Sequence, residues 1–196
     1  PRPEGPLLIV GAGVQGRAHL DAFADVLDVK AAVIASRSEA SADALALHAQ
    51  ARGLRAEITT DPDAALADCP LVVTCTPASG VALRALPGHG HFIAAVGAFT
   101  PTMVELAPAL CRHVAHTGRV VVDTPQALHE AGDLLQAGLD VSRLESLADV
   151  VRIEAAFHDA DAQAGPVLFK SCGWAGWDLA AARCALQTLA GSAKGR

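Results

Sequence analysis

The chain has 196 residues, 52% of them hydrophobic and 18% charged, which is enough apolar material for one substantial core and too little length for two, so a single globular domain is expected over residues 1–196. A net charge of −6 without a run of like charges leaves no basic patch for nucleic acid or an anionic membrane surface. No apolar run has the length of a membrane span, and Pro1-Arg2-Pro3-Glu4-Gly5-Pro6 lacks the charged and apolar regions of a signal peptide, which points to the cytoplasm.

Leu7-Leu8-Ile9-Val10, apolar without alternation, reads as a strand buried on both faces. The turn Gly11-Ala12-Gly13-Val14-Gln15-Gly16 then fits G-x-G-x-x-G and opens a helix over about 15–23. The first glycine permits a tight turn, the second lets the backbone approach a pyrophosphate, and the third lets helix and strand pack closely. Free N–H groups at the helix start face the phosphates, so Gly11, Gly13, Val14, Gln15 and Gly16 are candidate cofactor residues.

A second strand is expected over 29–35. An NAD site places an aspartate or glutamate about 20 residues beyond the glycines, to hold the ribose hydroxyls. This chain has Ser36-Arg37-Ser38 there, a cation and two hydroxyls suited to a 2′-phosphate, so NADPH is the expected cofactor and NADH the second choice.

Residues 41–51 read as a helix, 56–59 as a third strand, and 62–67 as a helix entered through Asp61 as N-cap with Pro62 at its first position. The fourth strand, 71–74, ends in Thr74-Cys75-Thr76-Pro77, at the strand end where ligands bind in an open parallel sheet. The Thr74 and Thr76 hydroxyls, with Pro77 beside them, either line a nicotinamide pocket or cap the turn. A strand over 91–96, a helix over 104–111 and a strand over 119–122 closed by Asp123 complete an alternation that predicts an α/β fold, a Rossmann-type doubly wound, mostly parallel sheet. Further on, helices are expected over 126–137 and 142–150, a polar loop over 152–165, a short strand over 167–169 and a helix over 174–190. Trp174 and Trp177 share a face of that last helix, as core packing or as cover for a cofactor or a partner domain.

The five cysteines, Cys69, Cys75, Cys111, Cys172 and Cys184, are odd in number and form no C-x-x-C pair, which favours buried thiols over disulfides or zinc. His89 with His91, and His113 with His116, lack a completing ligand set and read as surface or capping residues, so no metal is expected. The chain begins without methionine and opens almost directly onto the first strand, which suggests a piece of a longer protein.

The turn Gly-Ala-Gly-Val-Gln-Gly-Arg-Ala-His, with Gln15 before the third glycine and His19 three residues after it, resembles the ornithine cyclodeaminase/mu-crystallin family. Thr74-Cys75-Thr76-Pro77 is similar to the family's T-A-T-P segment, and Val96-Gly97-Ala98-Phe99-Thr100-Pro101 with Glu105-Leu106 to its G-A-D-x-P…E-L segment. Val122-Asp123-Thr124, Glu130-Ala131-Gly132-Asp133 and Phe169-Lys170-Ser171-Cys172-Gly173 follow in the expected order. The resemblance implies a Rossmann domain between an N-terminal segment and a C-terminal tail that together form a substrate and dimerisation domain, with a homodimer as the whole protein. The basic residues that hold the substrate carboxylate lie in that N-terminal part, outside this chain. It also adds Gly97 to the candidate cofactor residues.

Phe99 stands where the cyclodeaminases carry an aspartate, and a phenyl ring neither takes a proton nor pairs with an ammonium. Pro125, His129 and Ala131 also depart from the family's usual residues. Gly-Ala-Phe-Thr-Pro resembles the family's cyclic ketimine reductases, which act on Δ1-pyrroline-2-carboxylate and in some cases Δ1-piperideine-2-carboxylate. The resemblance thus implies an NADPH-dependent oxidoreductase of amino-acid metabolism acting on a small cyclic imino acid, with Phe99 as an apolar wall for the ring and the proton donor unidentified. The competing expectations are an ornithine cyclodeaminase, an alanine dehydrogenase, or a crystallin-like protein that binds NADPH without turnover.

Overall fold

The computed structural model describes residues 5–154 and 165–193, and every strand pairing in it is parallel. Leu7–Val10 (β1) is buried along its whole length, as a strand covered on both faces must be. Val14–Leu27 (α1) runs four residues past its expected end. Leu20, Phe23, Ala24 and Leu27 recur at helical spacing on the core side, and Asp28, in the left-handed region at φ 57°, stops the helix. Ala31–Ala35 (β2) leads to Glu39–Ala51 (α2), which starts two residues early because Ser38 caps it, its Oγ accepting the Ser41 N–H at 3.3 Å. Arg55–Thr59 (β3) follows, and then Pro62–Ala65 (α3), capped by Asp61 as the sequence implies and continued by one 3₁₀ turn.

Leu71–Thr74 (β4) forms as expected, but Ser79–Leu83 (β5) is a strand that the sequence reading passed over. It pairs, beyond Phe92–Ala95 (β6), with Val104–Leu106 (β7) in a separate two-stranded sheet. The expected helix over 104–111 is therefore wrong at its start. The helix is Pro108–Thr117 (α4), opened by a proline whose missing N–H costs nothing at the first helical position.

Arg119–Val122 (β8) is as expected. The single helix over 126–137 is in fact two, Ala127–Glu130 (α5) and Gly132–Gln136 (α6), broken at Ala131 (φ −76°, ψ 73°). Gly132 there lies so close to the carbonyls of Thr100 and Met103 that a Cβ would overlap them. Over 142–150 the chain forms a 3₁₀ turn, a two-residue strand Glu145–Ser146 (β9), and then Leu147–Glu154 (α7). Ser146 and Asp149 cap its start reciprocally, Ser146 N–H to Asp149 Oδ2 at 3.0 Å and Asp149 N–H to Ser146 Oγ at 3.3 Å. The expected loop over 152–165 begins inside this helix, and 155–164 lie outside the described residues. Val167–Lys170 (β10) and Ala175–Ala193 (α8) complete the chain.

The main sheet runs β3-β2-β1-β4-β6-β10-β8-β9, so the last strand in sequence enters between β6 and β8. One core packs α1 and α2 against Leu7, Ile9, Ile34 and Val73, and the other packs α4 and α6 against Leu8, Val72, Ile93 and Leu168. The described side chains of α8 are largely exposed, and Trp174 and Trp177 keep 50% and 40% of their surface in solvent. Core packing by that pair is excluded. No helix among the described residues is long and apolar enough to cross a membrane.

Candidate functional site

A cleft of about 940 Å³ opens at the carboxyl ends of β1, β2 and β4, where the chain winds to either side of β1. The 11–15 turn, Ser36-Arg37-Ser38, Cys75-Thr76-Pro77 and part of β5 line it. Gly11 and Gly16 are required by the protein itself. Gly11 has φ 116° and a Cβ would overlap the Cys75 carbonyl, while a Cβ on Gly16 would overlap the Gly11 carbonyl and press on Ile9. Gly13 differs. Its backbone is ordinary extended chain (φ −86°, ψ −163°), and a Cβ there would meet nothing within 4 Å. Among the described residues nothing packs where a Gly13 side chain would go, and the space in front of it is the cleft. The start of α1 faces the same space with no side-chain cap and no acidic residue in its first turn.

At the far end, Ser36 Oγ accepts the Ser38 N–H at 3.2 Å, and Ser38 Oγ accepts from the backbone and hydroxyl of Ser41. Each serine thus spends an acceptor site, and its O–H remains able to donate. Arg37 reaches across to Ser79 on β5, Nη1 donating to Oγ at 3.4 Å, and among the described residues is the only charged one on the cleft wall.

Thr76 and Pro77 line the cleft, with the Thr76 hydroxyl accepting the Ala78 N–H at 3.0 Å. Thr74 does not line it. That residue is fully buried and its hydroxyl donates to Glu105 Oε2 at 3.2 Å, so neither alternative expected of it, pocket wall or turn cap, matches its place. Gly97 also lies off the cleft wall, and its lack of a side chain makes room for the Glu105 carboxylate and the Thr76 carbonyl. Gly16 too stands behind the turn rather than on the wall. Phe99, on the loop after β6, is 54% exposed and outside the cleft lining.

Sequence reasoning gave no role to the buried polar residues beside the cleft. Glu105, on β7, accepts from Thr76 N–H at 2.6 Å, Gly97 N–H at 2.7 Å and Ala98 N–H at 3.3 Å, besides Thr74. Asp133 Oδ1 accepts the N–H groups of Glu105 and Leu106 at 2.6 and 2.9 Å, and its Oδ2 lies 3.0 Å from Lys170 Nζ, both side chains fully buried. Asp123, at the end of β8, gathers Ser171 Oγ and the N–H groups of Cys172 and Gly173 onto Oδ2, each at 2.8 Å, and so shapes the loop after β10. The available signal was a lysine at the end of Val-Leu-Phe and a glutamate between Val104 and Leu106, charges where apolar neighbours predict burial.

Cys75, on the cleft wall, has its thiol pushed up to about 12, by burial first and then by the Glu105 carboxylate. Burial likewise raises Cys69 and Cys172 to about 11 and Cys111 to about 12. Of the five thiols expected to be buried, Cys69 and Cys111 are, Cys75 and Cys172 are only partly so, and Cys184 is exposed on α8. His91 sits between the carbonyls of Leu66 and Gly88, and His113 meets the carbonyl of Pro87, which are structural roles.

Comparison with known proteins adds to this geometry. The family model described as ornithine cyclodeaminase/mu-crystallin family matches residues 4–192. Δ1-pyrroline-2-carboxylate reductase 2 of Burkholderia ambifaria is 39% identical over 186 residues, 93% of this chain and 56% of that protein. The Δ1-pyrroline-2-carboxylate/Δ1-piperideine-2-carboxylate reductase of Azospirillum brasilense is 36% identical over 185 residues, 94% of this chain and 56% of its own length. Among solved structures, Thermococcus litoralis Δ1-pyrroline-2-carboxylate reductase in complex with NADH and L-proline shares the fold, with a TM-score of 0.77 and 22% identity over 88% of this chain and 54% of that one. The chain thus spans a little over half the length of these relatives.

Proposed function

The chain belongs to the ornithine cyclodeaminase/mu-crystallin family, and from that premise we propose that it is the nucleotide-binding part of an NADPH-dependent reductase that converts Δ1-pyrroline-2-carboxylate to proline and Δ1-piperideine-2-carboxylate to pipecolate. The relatives named for these reactions support the substrate class, and Ser36, Arg37 and Ser38 on the cleft wall, with no acidic residue beside them among the described lining residues, support the 2′-phosphate. The observation that carries the reading is Gly13, where a Cβ would meet nothing within 4 Å among the described residues and the open space is the cleft.

Reduced nicotinamide, when bound, supplies the hydride that turns the C=N bond of the substrate into CH–NH. The chain's own residues bind and orient. Gly13 leaves room for the pyrophosphate, and the free N–H groups of Val14 and Gln15 at the start of α1 hold its charge. Arg37 pairs with the 2′-phosphate while Ser36 and Ser38 donate their hydroxyls to it. Thr76 and Pro77 form the nicotinamide side of the cleft. Gly11, Gly16, Gly97 and Thr74 contribute from behind, by shaping these walls. Phe99, exposed on the loop after β6, offers an apolar surface to a planar ring. The intact protein in this reading is a cytoplasmic homodimer whose remaining part carries the cations for the substrate carboxylate.

The test is steady-state kinetics of the intact protein with each cyclic imine, following oxidation of NADPH. Reduction of the imines without release of ammonia from ornithine is the expected result. Ammonia from ornithine with no imine reduction would replace the reading by a cyclodeaminase, NAD-linked oxidation of alanine by an alanine dehydrogenase, and tight NADPH binding without any turnover by a binding protein.

A further inference from the structure

Two loops border the proposed reaction centre, the one after β4 that carries Thr76 and Pro77 and the one after β6 that carries Phe99. One side chain joins them. Glu105 is fully buried on β7, and its two carboxylate oxygens divide the work: among the described residues Oε1 accepts from the Thr76 N–H alone, at 2.6 Å, whereas Oε2 accepts from Gly97 N–H at 2.7 Å, Ala98 N–H at 3.3 Å and Thr74 O–H at 3.2 Å. The strut has its own anchorage, since the backbone N–H of Glu105 donates to Asp133 and Asp133 is held by Lys170, all of them buried. Gly97 shows how tight the fit is, because a Cβ there would overlap both the carboxylate and the Thr76 carbonyl.

The geometry points to Glu105 as a positioning residue that fixes the nicotinamide-side loop against the Phe99 loop, and so sets how the hydride donor meets the imine carbon. It touches neither reactant and acts through the backbone of Thr76 and Gly97. The inference rests on the proposed function, which supplies the two reactants. Its chemistry requires a carboxylate. Four donors converge on the group, and only a carboxylate is an acceptor at both ends; a carboxamide has one acceptor oxygen and would aim an NH₂ at one set of N–H groups. In Glu105→Gln the carbonyl oxygen keeps the Oε2 position, where three donors converge, and the NH₂ faces the Thr76 N–H. The substitution therefore loosens one loop and spares the other. A small displacement of a reacting group costs on the order of a hundredfold in rate, while binding at the distant phosphate end does not feel it.

The experiment compares the intact protein with its Glu105→Gln variant in three readouts. The first is affinity for 2′,5′-ADP, which fills only the phosphate end. The second is kcat and KM for Δ1-pyrroline-2-carboxylate. The third is amide hydrogen exchange at Thr76, Gly97 and Ala98. The expected results are 2′,5′-ADP affinity within about twofold, kcat lowered by about tenfold or more with a smaller change in KM, and faster exchange at Thr76 with Gly97 still protected. A folded variant with unchanged kcat overturns the inference, as does a fall in kcat matched by equal loss of 2′,5′-ADP binding and general loss of protection, which would make Glu105 a stabiliser of the fold only. If the variant does not fold, exchange in the unmutated protein decides. Equal strong protection of Thr76, Gly97 and Ala98 supports one clamp, and rapid exchange at Thr76 alone overturns it. If the unmutated protein reduces no cyclic imine, the functional reading fails by itself, and the exchange measurements still decide whether Glu105 clamps the two loops.

Discussion

The turn at Gly13 and the clamp at Glu105 lie at the carboxyl ends of the neighbouring strands β1 and β4, yet they are built in opposite ways. At the turn the chain removes side chains; two of the three removals, Gly11 and Gly16, serve its own packing, and the third leaves a space that none of the described residues fills. Behind Thr76 it does the reverse, packing a glutamate, an aspartate and a lysine into a fully buried space and satisfying them with backbone N–H groups and one another. Unclaimed space beside free helix N–H groups marks where a ligand belongs, and buried charge with every partner inside the chain marks the frame that holds the ligand's walls. Substitutions in the first region should change binding without stability, and breaking the Asp133–Lys170 ion pair in the second should change stability first.

The largest effect is expected in the frame. Lys170→Met keeps the bulk but leaves Asp133 Oδ2 without its cation in a fully buried site, at a cost of roughly 3–5 kcal/mol and a fall in Tm on the order of 10 °C. Thermal denaturation reads this directly, and a shift below about 2 °C would mean that the pair contributes little. Next comes the void. Gly13→Val should lower NADPH affinity by about a hundredfold or more, roughly 2.7 kcal/mol, with Tm unchanged within about 2 °C, because the backbone at 13 is already in a conformation open to any residue. A fall in Tm with binding retained would reverse the roles assigned to the two regions.

Arg37→Ala should cost NADPH about tenfold in affinity and NADH much less, since the guanidinium serves the 2′-phosphate alone. Calorimetry with both cofactors checks the difference. The smallest effect concerns the thiols. Cys75 and Cys111 ionise near 12 in the folded chain against an ordinary value of 9.0, so folding favours the bound proton. Their contribution is complete below about pH 9 and is lost as pH rises from 9 towards 12. Near pH 8 only about one part in ten thousand of Cys75 is thiolate, so an alkylating reagent should modify exposed Cys184 well before Cys75, as peptide mapping would show.

The sequence was most legible where local rules decide. Four unbroken apolar residues, a glycine turn and the helical pattern after it announce β1 and α1 without reference to the rest of the chain, and Asp61-Pro62, a cap with a proline after it, announces α3. Legibility fell where distant partners decide. Val104-Glu105-Leu106 carries a helix-compatible pattern, and its strand state depends on β5, itself unnoticed, and on Asp133, which lies 28 residues beyond Glu105. Thr74 reads as a pocket residue or a turn cap at the end of its strand until the glutamate that takes its hydroxyl is placed beside it. The position of β10 between β6 and β8 depends on the whole sheet, and no local period announces it. Ser146-Leu147-Ala148-Asp149 is a different case, a capping signal for α7 that is local and readable in the sequence itself.

The central claim is that the cleft in front of Gly13 is a dinucleotide site that prefers a 2′-phosphate. Calorimetric titration of the intact protein with NADPH and with NADH tests it most directly. The account predicts one site per chain with NADPH bound tighter by about tenfold to a hundredfold, the contribution of a charge-assisted contact to phosphate. Equal dissociation constants, or binding of neither cofactor, would contradict it.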